Sequence, residues 1–162
     1  MSEISGSARL SQYLAAHPGV AELIRPGVAM PTVPLAAAAL GVPPAQVVKS
    51  ILLQGKKDAT VLALAVVPGD LRIAPGKVSQ ALGLSGLRLA TPEAVLAATG
   101  YSVGGVPPVG HATLLLAVVD SRVLAMASVY GGGGDEEHML RISPADIVRL
   151  TGARVADITS DG

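Results

Sequence analysis

The stretch Gln46-Val47-Val48-Lys49-Ser50-Ile51-Leu52-Leu53 decides how the rest of the chain is read. It is a short run of Val, Ile and Leu closed by Gln54-Gly55 and the charged turn Lys56-Lys57-Asp58, the pattern of a buried β-strand. One residue breaks the pattern. Lys49 puts an ammonium into an apolar run, so its side chain must either reach water along its stem or meet an anionic partner. The first outcome is an edge-strand lysine that keeps other sheets away. The second is a lysine aimed into a cleft, facing a negatively charged ligand. Working outward, residues 60–67 form a second apolar strand, joined to the first as a hairpin with both faces covered.

The composition bounds the answer. A chain of 162 residues predicts a single domain, with its core over about residues 10–158. Half of the residues are hydrophobic and 15% charged, which makes the chain globular. It has no Phe, no Trp and three Tyr, so small aliphatic side chains must build the core and backbone must shape any site. No apolar run reaches the roughly 20 residues of a membrane-spanning helix. The opening Met1-Ser2-Glu3-Ile4-Ser5-Gly6 lacks a basic region followed by an apolar core, so no signal peptide is expected. With no Cys there is no disulfide framework, and a cytoplasmic address is expected. The net charge of zero argues against a grip on a long stretch of nucleic acid and leaves room for a small, local contact.

Ser7 is read as the cap of a first helix to about residue 16, ended by His17-Pro18-Gly19, with His17 a helix-end residue. Residues 28–30 read as a short strand, and Thr32 caps a helix over 34–40 closed by Gly41. Further helices are predicted over 75–82, 92–98 and 144–150, with Thr91-Pro92-Glu93 and Ser143-Pro144-Ala145-Asp146 as their starts. Lys77 is expected in solvent. Strands are predicted over 87–89, 113–119, 123–130, 139–142 and 154–158, with residues 131–134 a flexible glycine tip. The pattern predicts an α+β fold with a mixed, strongly curved, barrel-like sheet and short surrounding helices. Residues 99–111 form a long loop with glycines and a proline pair. Such loops tend to be functional; glycine lets main chain approach a ligand and proline holds the turn.

Several chemistries are absent from the sequence. The glycine tract is not followed by Lys-Ser or Lys-Thr, so there is no P-loop. There is no Gly-x-Ser-x-Gly elbow. His17, His111 and His138 lack the spacing of a zinc site, and Asp120 with either later histidine makes a poor triad. Too few aromatics are present for a base-stacking sheet.

Val47-Val48-Lys49-Ser50-Ile51-Leu52, the loop from Gly100 to His111 with its Gly104-Gly105-Val106-Pro107-Pro108 segment, Val118-Val119-Asp120 and Ala156-Asp157-Ile158 together resemble the YbaK family. These are free-standing relatives of the editing domain of bacterial prolyl-tRNA synthetase. The likeness runs in order from about residue 10 to residue 158. It implies hydrolysis, in trans and without a metal or other cofactor, of the ester of a mischarged tRNA, typically a wrong small amino acid such as Cys or Ala on the tRNA for proline. The implied partner is the acceptor end of that tRNA, with a synthetase complex as a further one and no membrane.

The family's lysine falls on Lys49 and its Gly-x-x-x-Pro loop on Gly104, Gly105, Val106, Pro107 and Pro108, which hold the terminal adenosine and aminoacyl group between them. Gly110 belongs to the same loop. His138 corresponds loosely to a substrate-binding histidine, His111 and Asp120 are supporting groups behind the site, and Thr32 lines the amino-acid pocket or merely caps its helix. Lys49 is expected to stay protonated, binding phosphate or the developing oxyanion, because the sequence shows no second cation that would depress it into a base. Ser50 stands where alanine-specific relatives carry Asn, which leaves cysteine or another small residue open. Aliphatic walls separate substrates by only ~1–3 kcal/mol per methylene. The alternative reading is a non-catalytic module of the same fold that binds an RNA 3′ end or a partner protein.

Overall fold

The computed structural model describes residues 5–160. The predicted hairpin is its centre: β2 (Val48–Gly55) pairs antiparallel with β3 (Leu62–Pro68), Lys49 opposite Val67. β5 (Leu116–Asp120) lies parallel to β3, and β8 (Arg154–Ala156) parallel to β5. On the other side of β2, β4 (Leu87–Leu89) pairs with Leu53, Gln54 and Gly55 only. The five-stranded order is therefore β4-β2-β3-β5-β8. A second sheet of three antiparallel strands runs β1 (Ala21–Ile24), β7 (Met139–Ile142), β6 (Val129–Gly132).

Both faces of the central sheet are covered, which is why its strands read as continuous apolar runs. Val48, Leu52, Leu64, Val66 and Val119 face one core. There they meet Leu10 of α1 (Gly6–Ala15), Val95 and Ala98 of α4 (Pro92–Thr99), Ile147 of α5 (Pro144–Thr151), and Leu140 and Ile142 of the small sheet. Leu53, Ala63, Ala65, Val67 and Val118 face a second core beneath Val78 and Leu82 of α3 (Pro75–Leu82). Burying side chains of this size contributes about 1.5–3 kcal/mol each. A third, small cluster joins Met30, Val47 and Met139 to Ala36 and Ala37 of α2 (Val33–Leu40).

The mixed α+β class is as predicted, but the sheet is not one closed barrel. Among the described residues its strands divide between two open sheets joined by one bridge, Val47 to Tyr130. The reason lies in residues 123–130. Instead of one long strand, Val123–Ala125 turn in a 3-10 helix, because the Asp120 carboxylate accepts from Arg122 N at 2.9 Å and starts a turn there. Only Val129–Gly132 remain extended, so half of the predicted glycine tip is strand. Residues 28–30 are not a strand; the first one comes earlier, at Ala21–Ile24. Ser5, not Ser7, caps α1, accepting from Ala8 N at 3.2 Å. Lys77 is not free in solvent, since its Nζ donates to Thr159 O at 2.7 Å and to Asp157. No helix among the described residues is long and apolar enough to cross a membrane.

Candidate functional site

Because β4 stops short, the Val48–Ile51 end of β2 has open space on one side. A cavity of about 330 Å³ occupies it. β2 supplies Val48, Lys49, Ser50 and Ile51; the start of α2 supplies Thr32, Val33 and Ala36; the long loop supplies Val103, Gly104 and Val106; and Met30, Gly132 and Met139 close the end. The lining is mostly aliphatic, with Thr32, Lys49 and Ser50 its polar side chains. That is the usual constitution of a small-ligand site, at the small end of the ~300–1,000 Å³ range.

Lys49 Nζ donates to Leu71 O at 2.9 Å. A carbonyl takes one proton, so an ammonium keeps two further donors. Burial pushes the lysine below its ordinary value of 10.5; the carboxylate of Asp70 opposes that and the cation of Arg72 adds to it. The sequence showed no second cation beside Lys49, and the fold brings one. Thr32 serves both of its expected roles: its Oγ1 accepts from Leu35 N at 3.4 Å as the cap of α2, and the residue lines the cavity. The buried Ser50 Oγ has no hydrogen-bond partner.

The loop is held over the cavity by main chain. Gly134 N donates to Gly105 O at 2.9 Å, and Gly105 N to Ser102 O at 3.0 Å. Gly132 lies so close beneath that a Cβ there would overlap Val106 O and come within 2.7 Å of Val106 C, so glycine is required. Pro108 packs on Gly131. His111 Nε2 donates to Pro107 O at 2.7 Å, which assigns the Nε2–H tautomer, and burial pushes this histidine below its ordinary 6.5 against the opposing effect of that bond. Tyr101 OH donates to Gly110 O at 2.7 Å. His111 and Gly110 line a separate, smaller cavity of about 140 Å³.

The fold thus brings Lys49, Thr32, Gly104 and Val106 to one space. Gly105, Pro107, Pro108, Gly110 and His111 build and brace the loop without lining that space. Asp120 is fully buried elsewhere in the sheet, accepting from Arg122 N and Ile158 N, each at 2.9 Å, and from Arg122 Nη1 at 3.3 Å. His138 holds the turn before β7, its Nδ1 2.7 Å from Asp135 Oδ1, and is not among the lining residues. Sequence reasoning passed over Met30, Gly132 and Met139. The glycine tract was the available signal, since four successive glycines also mark close backbone approach. No group of three or more His, Cys, Asp or Glu residues among those described could hold a metal ion.

Comparison with known proteins adds the chemistry. The profile of a family described as "Aminoacyl-tRNA editing domain" matches residues 28–150. The proline–tRNA ligase of Solidesulfovibrio magneticus is 38% identical over 147 residues, covering 87% of this chain and 24% of the ligase. That of Thermotoga neapolitana is 38% identical over 98 residues, 60% of this chain and 16% of the ligase. The chain therefore spans a quarter or less of the ligases it matches. A solved structure, described as a candidate trans-editing enzyme for prolyl tRNA synthetase, superposes with a TM-score of 0.86 at 35% identity, covering 99% of this chain and 100% of that one. The cavity at the start of β2 lies within the matched segment, and the chain belongs to the aminoacyl-tRNA editing domain family.

Proposed function

We propose that this protein is a trans-acting deacylase that hydrolyses the ester linking a small amino acid, such as Cys or Ala, to the tRNA for proline. One observation carries the reading: in a chain of the editing family, the lysine of β2 lines an aliphatic cavity roofed by the Gly104–Val106 loop. The cavity suits a small aminoacyl group and its ribose. Water adds to the acyl carbon, and the bond from that carbon to the ribose oxygen breaks. The ribose oxygen takes up the proton, releasing free amino acid and tRNA. Among the described residues no carboxylate or imidazole lines the cavity, so the attacking water is oriented by substrate groups, such as the neighbouring ribose hydroxyl, and by loop main chain. Lys49 acts as a cation, with its two remaining donors directed at substrate phosphate or at the oxyanion that develops in the transition state. Of the tRNA the site takes in only the aminoacylated 3′ end, in keeping with a net charge of zero. Its work lies with the cytoplasmic translation machinery.

A panel of misacylated tRNAs tests this. Wild type should turn over at least one of them, and Lys49→Ala should lose about 10²–10³-fold in rate with an unchanged circular dichroism spectrum. No turnover of any substrate would leave a non-catalytic binding module, and turnover at equal rates in the two proteins would overturn the role given to Lys49.

A further inference from the structure

β2 carries a polar edge that the protein itself does not fill. In an antiparallel strand, successive residues point their main-chain groups to alternate sides. Gly55 N donates to Val61 O at 2.9 Å on the β3 side, whereas Leu52 O accepts from Ala90 N at 3.0 Å and Lys56 N donates to Gly86 O at 2.9 Å on the other. The same alternation turns Lys49 and Ile51 towards β3 and sends the N–H and C=O of Ser50 to the opposite edge. β4 covers that edge only at Leu53, Gln54 and Gly55, and the bridge from β6 reaches only Val47. Ser50 lies in the gap. Neither that pairing nor that bridge reaches its outer N–H and C=O, and its buried hydroxyl has no hydrogen-bond partner. This residue lines the cavity among aliphatic side chains. Main-chain groups walled in this way are almost always paired, so the gap fits a ligand that brings one donor and one acceptor.

We propose that the main chain of Ser50 is the cradle for the amino-acid half of the substrate. The Ser50 carbonyl accepts from the α-ammonium, and the Ser50 N–H donates to the acyl carbonyl oxygen. These are the two bonds that a residue of an adjoining strand would make, here made by a single esterified amino acid. The inference rests on the deacylase reading above and deepens it. The cradle grips what all α-amino acid esters share, and it sets the acyl carbon beside Lys49 while the aliphatic walls measure the side chain.

The test uses ¹⁵N-labelled protein and two non-hydrolysable ligands: 3′-alanylamino-3′-deoxyadenosine and its propionyl counterpart, which lacks the α-amino group. In the free protein the Ser50 amide should exchange with solvent faster than the amides of Lys49 and Ile51, which bond to β3. The alanyl ligand should slow Ser50 exchange, and the propionyl ligand should bind about tenfold more weakly, the worth of one charge-assisted hydrogen bond. Ser50 exchange as slow as its neighbours' in the free protein would overturn the cradle. So would equal affinity of the two ligands, absence of binding, or binding that shifts the signals of Lys49 and Gly104 but leaves Ser50 exchange unchanged. If misacylated tRNA is still turned over in any of those cases, the deacylase stands and only the cradle falls. Loss of turnover as well removes both.

Discussion

Two polar regions of this molecule sit at strand ends of the same sheet and are built in opposite ways. Around the end of β5 every group is answered. Asp120 takes bonds from Ile158 N and Arg122, Arg122 Nη1 also reaches Asp157 at 3.1 Å and Thr159 Oγ1 at 2.8 Å, and Lys77 closes the cluster on Thr159 O. At the start of β2 the groups are left open: an ammonium with one acceptor, a hydroxyl with none, and a stretch of strand paired on one side only. A satisfied cluster has nothing left to offer a ligand, so its work is to hold the C-terminal segment. An unsatisfied one costs the fold stability and returns it on binding. From sequence, Lys49 is the leading site residue and Asp120 a supporting one behind it; the tally of partners moves Asp120 out of the site altogether.

That contrast can be broken by experiment. The largest effect on stability should come from Asp120→Ala, which strips the acceptor from two main-chain donors and should cost about 2–4 kcal/mol in urea unfolding. The same substitution should leave the deacylation rate per folded molecule unchanged. Lys49→Ala should behave in reverse, keeping its midpoint and losing its rate, and a shared phenotype for the two variants would end the distinction. Next in size is Gly132→Ala. Its Cβ would overlap Val106 O beneath the roof of the cavity, so a loss of about 1–3 kcal/mol should come with a lower rate.

The pH dependence sharpens the contrast further. Lys49 is held below its ordinary 10.5 by burial, so the deacylation rate should fall as pH rises through that lowered value, because the protonated form is the working one. Stability should move the other way. The folded state binds fewer protons than the unfolded state between the lowered value and 10.5, so unfolding free energy from this group rises with pH across that window. Rate and stability rising together there would show that Lys49 works as a neutral amine. The smallest effect belongs to Ser50→Ala. Removing a buried hydroxyl that has no partner should leave stability unchanged or raise it by up to about 1 kcal/mol, read from the same urea midpoints.

What was legible in the sequence was whatever is decided locally. Thr32, Thr91 and Ser143 cap their helices as expected, and Gly41, Gly100 and Gly152 end them in the left-handed conformation. The β2–β3 hairpin was visible because its two apolar runs are adjacent. What failed depends on distant partners. Ala21–Ile24 has no strand pattern of its own and becomes extended only against Met139–Ile142. Residues 123–130 have a strand's composition but yield to the Asp120 turn and to Gln46 Nε2, which donates to Ser128 O at 3.1 Å. The site divides in the same way. Lys49 and the Gly104–Val106 loop stand out as breaks in pattern, whereas Met30 and Met139 enter the cavity only through long-range packing.

The short reach of β4 has one more consequence. A bare length of strand is a template on which a foreign polypeptide can polymerise, and proteins that keep one must guard it. Here the opening is narrowed to about 330 Å³ by a lip of main chain and proline, with a lysine at the strand's entrance. A peptide segment long enough to propagate a fibre does not fit, and a single residue does. The restriction that admits a small guest is thus also the domain's defence against adhering to its own kind.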